Sequence, residues 1–267
     1  MSNPSEHVSL HRGVTPLLIS FPHVGSDIPN EYRSRFVDRA LATEDTDWHV
    51  DRLFDFAKSL GASLLIPSLS RYIVDLNRPP DNKPMYPGQN NTELCPTRFF
   101  TGDPIYKPGE APDEAEVADR VERFWKPYHE ALQAELKRIH SLHGHAVLFD
   151  AHSIKGTLPW LFAGDLPDMN VGTASATSCD RVLRAAVESV FSHQTRFSWI
   201  MDGRFKGGYI TRRYGEPKNQ IHAVQLEMSW RSYMREDPPY AWDQERAARL
   251  HPLLHELVTT LSAWVPG

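Results

Sequence analysis

Short apolar runs, each bounded by turn residues, alternate with amphipathic stretches along this chain. The runs are TPLLISF (15–21), ASLLIP (62–67), RYIVDL (71–76), HAVLFD (145–150) and HAVQLEM (222–228). Their continuous apolarity predicts strands covered on both faces. Between them, Asp47 to Leu60 sets Val50, Leu53, Phe54 and Ala57 on one helical face. Pro112 to Leu142 is long, charged and amphipathic, with Asp113 and Glu114 suited to a helix N-terminus. Asp180 to Phe191 predicts another helix with Asp180 as N-cap, and Tyr240 to Trp264 a closing one. Strands alternating with helices predict an α/β sandwich. No linker interrupts the pattern, so residues 1–267 are expected to form one domain. The stretch 79–112 stands apart, with seven prolines between Pro80 and Pro112. It is expected to be a long ordered excursion that walls a pocket.

Composition narrows the function classes. The formal net charge is −5 and no basic run stands out, which argues against nucleic acid as partner. No apolar run is long enough to span a bilayer, so no membrane role is expected. The opening MSNPSEHVSLHRG lacks the charged-then-apolar pattern of a signal peptide, and a cytoplasmic protein is expected. Cys95 and Cys179 sit in no CxxC pair and are expected to be reduced thiols.

The chemistry gathers where strands end. His23 follows LLISFP; Asp75, Asn77 and Arg78 follow RYIV; Asp150 and His152 end VLFDAHS; Glu227 lies in QLEMS. Ligands of open α/β sheets bind beyond the carboxyl ends of strands. Two neutral imidazoles and one carboxylate form a common catalytic zinc set that leaves a position for water. His23 and His152 are the candidate imidazoles. The run TEDTDWHVD offers Glu44, Asp45, Asp47 and Asp51, any of which also suits a helix start. Asp47, where loop meets helix, is the expected ligand, with Asp45 its rival, and Asp150 is suited to orient an imidazole. Glu227 is expected to act as general base, since an acid in an apolar strand is costly to bury without a task. An edge-strand carboxylate facing water is the alternative.

Arg71, Arg78, Arg212 and Arg213 are candidate clamps for an anion. GRFKGGYITRRYG, with Lys206 and Tyr209 beside Gly207 and Gly208, reads as a cationic loop able to close on an anionic substrate. A basic hairpin without such a role is the other reading. LPDMNVGT reads as a tight polar loop in which Asp168, Asn170 and Thr173 are expected to cap turns, with bonds to substrate the other reading. Ser153 beside His152 suggests a metal-free nucleophile, but no GxSxG elbow surrounds it.

Taken in order, SFPHVG, DTDWHVDRL, SRYIVDLNRP, LFDAHS, LPDMNVGT, GRFKGGYITRRYG and HAVQLEMS resemble the N-formylglutamate amidohydrolases, or deformylases, of histidine degradation. The resemblance spans about residues 10 to 235. It implies a mixed twisted sheet between helix layers, similar to zinc carboxypeptidases and aspartoacylases, with zinc at the strand ends. It implies His23 and His152 as metal ligands and Glu227 as base. Asn77 and Arg78 resemble the substrate-carboxylate clamp of that wider group, and Arg71 the arginine that polarises the scissile carbonyl. The wider group's HxxE ligand pair is absent, because Ser26 stands three residues after His23 and Asp27 follows. Asp47 is therefore expected to complete the set. The implied reaction is metal-dependent hydrolysis of N-formyl-L-glutamate, a small anionic N-acyl amino acid, to formate and L-glutamate. Zn²⁺ is the expected ion, with Co²⁺ or Mn²⁺ compatible with the same donors. Arg212 or Arg213, with Tyr209, would complete the grip on the two carboxylates. Hydrolysis of another N-acyl acidic amino acid and an inactive zinc- or anion-binding module are the alternatives.

Overall fold

The computed structural model describes residues 4–84 and 90–267. Seven described strands form one mixed sheet: β1 (Val8–His11), β2 (Leu17–Ser20), β3 (Ser63–Pro67), β4 (Ala146–Ile154), β5 (Met169–Gly172), β6 (Trp199–Met201) and β7 (Ile221–Ser229). Their order is β1-β3-β2-β4-β7-β5-β6. The central β3, β2, β4 and β7 run parallel, while β1 is antiparallel to β3 and β5 antiparallel to β7. The helices are α1 (Asn30–Arg33), α2 (Val50–Leu53), α3 (Glu114–Arg120), α4 (Lys126–His143), α5 (Arg181–Ser192), α6 (Tyr209–Tyr214) and α7 (Gln244–Ala263). The expected α/β sandwich with a mixed sheet is what the chain forms. No described helix is long and apolar enough to cross a membrane.

Period-two alternation sorts the central strands into two faces. Leu17, Ile19, Val147, Phe149, Ala151, Val224, Leu226 and Met228 join one core beneath α5 and α7. Leu18, Leu148 and Ala223 join the other, beneath α4. Each Val, Leu, Ile, Phe or Met among them contributes about 1.5–3 kcal/mol when fully buried. Continuing the second set toward the carboxyl ends reaches Ser20, Asp150, His152, Gln225 and Glu227. One sheet face thus changes from apolar to polar along its own strands, and that edge carries the candidate chemistry.

Several expectations are corrected here. RYIVDL does not join the sheet; residues 71–76 form turns, with Ile73 N–H donating to Ser70 O and Arg78 N–H to Asp75 O. Its apolar residues still reach the core, since Tyr72, Ile73, Val74 and Leu76 are buried. The turns keep Arg71, Asp75 and Asn77 facing their buried partners, which a straight strand would separate. Asp47 to Leu60 makes only two short helical turns, because His49 at φ +63° delays the first to Val50 and Phe54 at φ −103°, ψ 9° separates it from the second. LPDMNVGT is no loop throughout, for β5 occupies Met169–Gly172. Residues 85–89 of the excursion 79–112 lie outside the described residues, but Asn90, Asn91 and Thr92 line the strand-end cavity. Both cysteines are free and buried, and burial pushes Cys95 up to about 11 and Cys179 to about 12.

Candidate active site

The loop after β2 delivers His23. Gly25 lets it lie against the 68–69 backbone, where any side chain would collide with Leu69 O. His23 O accepts from Asp47 N–H at 2.9 Å, which ties the approach to α2 to this loop. β4 delivers His152, directly beside Glu227 of β7 in the parallel register. His23, Asp47 and His152 are all buried, and their ligand atoms lie within 4.8 Å of one another.

The orientation of the two imidazoles is specific. His23 Nε2 faces Asp75 Oδ1 at 2.7 Å, and His152 Nε2 faces Asp150 Oδ2 at 2.9 Å. Both Nδ1 atoms therefore turn toward Asp47 Oδ2, at 3.7 Å from His23 and 3.1 Å from His152. The His23 Nδ1 is buried with no hydrogen-bond partner. Such carboxylate–imidazole pairs fix the ring and raise its basicity toward a metal. Two Nδ1 atoms and one carboxylate, each backed in this way, fit a divalent ion.

Charges around the cluster are unevenly matched. Asp47, Asp75 and Asp150 are buried carboxylates around two imidazoles and Arg71. Burial opposes ionising Asp47, but His152, hydrogen-bonded to it, and the nearby His23 hold its carboxyl well below the ordinary range. Burial likewise opposes Asp75, yet His23, Arg71 and Arg78 hold it well below. Glu227 has the contrary setting: burial pushes it up from 4.5 to about 8, against the pull of His152. A carboxyl kept basic beside two imidazoles can carry a proton between reactants.

Asp45 lies outside the cluster. Its carboxylate accepts from Tyr72 Oη at 2.9 Å and Phe100 N–H at 3.0 Å, and burial pushes it up to about 7. Ser153 offers no nucleophile to His152. Its hydroxyl sits 2.7 Å from Tyr233 Oη, and its N–H donates to Asp47 Oδ2 at 3.1 Å.

The arginines divide. Arg71 donates to Asp75 Oδ2 at 2.6 Å, lies 3.7 Å from Asp47 Oδ1 and covers the Phe100 ring. Arg78 donates to Thr92 O and Thr92 Oγ1. The Asn77 amide donates to Asp150 Oδ2 at 3.2 Å, and its oxygen accepts from Ile210 N–H at 2.8 Å. All three line a cavity with His23, Asp47, His152 and Glu227, of about 640 Å³ including its mouth. Tyr209, Arg212 and Arg213 are not among its described lining residues. At spacings of three and four they share one face of α6. That face turns outward: Tyr209 packs on Trp125 and His129, and Arg213 pairs with Glu216. Arg212 Nε donates to Gly207 O. From the same loop, Arg204 and Phe205 line the cavity instead.

Sequence reasoning overlooked Asp75 as the partner of His23, and Arg204. Asp75 was visible only as one more polar strand end, and nothing local marks Arg204 among its basic neighbours. The Asp168, Asn170 and Thr173 side chains serve local structure: Asp168 pairs with Ser198 and Arg231, Asn170 donates to Pro167 O, and Thr173 donates to Asp202.

Comparison with known proteins gives the family and the fold. The model of the N-formylglutamate amidohydrolase family matches residues 15–234. An N-formylglutamate deformylase of Pseudomonas putida is 44% identical over 257 residues, covering 96% of each chain. One of Pseudomonas aeruginosa is 45% identical over 259 residues, covering 97% of each. The crystal structure of an N-formylglutamate amidohydrolase from Ralstonia eutropha shares the fold, with TM-score 0.82 at 23% identity, over 96% of this chain and 97% of that one. A protein of Agrobacterium tumefaciens shares it too, with TM-score 0.71 at 18% identity, over 96% of this chain and 95% of that one.

Proposed function

The chain belongs to the N-formylglutamate amidohydrolase family, and from that premise we propose that its strand-end cavity works through a divalent metal held by His23, Asp47 and His152. The chain is a hydrolase that cleaves the amide of N-formylglutamate. The products of that cleavage are formate and glutamate. A bound Zn²⁺, or Co²⁺ or Mn²⁺ on the same donors, would supply Lewis-acid activation of water and of the formyl oxygen. The buried, unpartnered Nδ1 of His23, facing Asp47 while Asp75 holds Nε2, is the observation that carries the metal reading.

The chain's own groups supply the rest. Glu227 takes a proton from the attacking water and returns it to the departing amide nitrogen, so the amine leaves neutral. Arg71, held by Asp75 beside Asp47, presents its guanidinium to the formyl oxygen as negative charge builds there. Arg78, braced on Thr92, grips the carboxylate next to the scissile nitrogen. Asn77 holds the frame: its amide joins Asp150 behind His152 to the start of α6.

The test is formate release from N-formyl-L-glutamate by purified protein, before chelation, after it, and with zinc restored. Activity lost on chelation and recovered with zinc is expected. Full activity in protein shown to be metal-free would end the metal reading. Acetyl and longer acyl glutamates, assayed alongside, are expected to turn over more slowly than the formyl compound.

A further inference from the structure

We propose that Arg204 reads the side-chain carboxylate of the substrate and so makes the enzyme selective for an acidic amino acid. This rests on the reading that the cavity hydrolyses N-formylglutamate. That substrate carries two carboxylates. One sits beside the scissile nitrogen; the other lies two methylenes further out. The described arginines of the cavity are Arg71, Arg78 and Arg204. Arg71 is engaged with Asp75 next to the metal set. Arg78 lies close enough to Asp75, the partner of His23, to help hold its carboxylate ionised, so Arg78 belongs to the reacting end. Arg204 occupies another position. It lines both the catalytic cavity and a shallower cleft bordered by Trp160, Leu161 and Asn170. Its guanidinium donates to Leu161 O at 2.9 Å, which fixes it on that border. A glutamyl side chain leading from the scissile bond toward that cleft would meet Arg204, which lines both.

The segment that carries Arg204 is held on both sides. Asp202 N–H donates to Val171 O at 2.7 Å, and the Asp202 carboxylate accepts from Thr173 N–H and Ser175 N–H. Beyond Arg204, Lys206 O accepts from Ala174 N–H at 2.6 Å, and Gly208 N–H donates to Gln225 Oε1 at 2.7 Å. Gln225 lies two residues before Glu227 on β7, so the loop is registered to the strand that bears the base. A charged fork set in advance loses little freedom on binding and discriminates strongly against a neutral partner. The basic residues that are conspicuous in the sequence, Lys206, Arg212 and Arg213, are exposed, whereas Arg204 is partly buried.

The experiment compares kcat/KM for N-formyl-L-glutamate and N-formyl-L-glutamine in the wild-type enzyme, R204Q and R204K. The two substrates differ by a charge and little in shape. Wild type is expected to prefer the acid by about 100-fold or more. R204Q is expected to lose about 100-fold on the glutamate compound and less than about fivefold on the glutamine compound. Partial misfolding would lower both substrates equally and leave their ratio intact, so the ratio reports the contact itself. R204K keeps the charge without the planar fork and is expected to fall between the other two. A parallel loss on both substrates, a ratio unchanged in R204Q, or an R204K no more selective than R204Q would each overturn the proposal. A wild type that turns over both substrates equally would overturn it and leave the deformylase reading standing. No formate from N-formylglutamate in the wild type would overturn the underlying reading as well.

Discussion

Glu227 is where sequence, burial and chemistry meet in a single side chain. It lies in a nine-residue strand buried along almost its whole length, opposite Asn170 on one side and His152 on the other. Burial raises its carboxyl from 4.5 to about 8. Between those values the folded metal-free chain binds a proton that the unfolded chain releases. Its stability therefore falls as pH rises through that window. A base must be ionised to work, so kcat/KM should fall as pH drops through the Glu227 ionisation. A divalent cation next door lowers the raised value, so the acid limb of the holoenzyme is expected below about 8. E227Q is expected to lose at least about 100-fold in kcat/KM while keeping its metal. Its metal-free form should melt no lower than wild type near neutral pH. Metal analysis, calorimetry and formate release together check this, and near wild-type turnover with metal bound would remove Glu227 as the base.

At the scale of elements, α6 and its leading loop decide which side chains the cavity receives. Gly208 caps the helix start with an ordinary backbone (φ −82°), so the glycine is required for space alone. A Cβ there would drive into the Asn77 amide. That amide is held by Asp150 and Ile210 and has no free direction to yield. G208A is expected to displace Asn77 from Asp150 and to cut kcat/KM about tenfold or more, with the helix content unchanged. Circular dichroism and steady-state kinetics would check it; a variant within twofold of wild type would mean that Asn77 moves freely. The cationic loop was legible as basic and glycine-rich. Which basic residue faces inward was not, because α6 turns Tyr209, Arg212 and Arg213 away as one face.

Across the whole molecule, the proposed metal set joins three distant parts of the chain. The loop after β2, the approach to α2 and the end of β4 supply His23, Asp47 and His152, all nearly inaccessible. Ligand binding to the folded state alone stabilises by about 2.7 kcal/mol at 100 times Kd. For a chain of this size that raises Tm by roughly 5–10 °C. Zinc should therefore raise Tm in the wild type and leave H152A unmoved, as scanning calorimetry at graded zinc would measure. A Tm independent of zinc in the wild type would argue that the three residues hold no ion.

By itself the sequence determined the parallel core and the residues placed by strand ends. Apolar runs mark β2, β3, β4 and β7 because a strand covered on both faces has few polar positions to hide its identity. His23, His152 and Glu227 are legible for the same reason, as polar residues that interrupt or follow such runs. Three strands were not: β1 and β6 lie at the sheet edges and are only partly buried, and β5 (MNVG) has few apolar residues to mark it. RYIVDL shows the limit from the other side, since burial requires apolar side chains but not a paired backbone. Only the tertiary structure decided that Asp75 backs His23 and that Arg204 reaches the cavity. Those choices depend on where a side chain points across 52 residues of separation in one case and on the turn of a loop in the other. Hydrophobic pattern specifies which face is buried; it does not specify which polar groups meet once that face has closed.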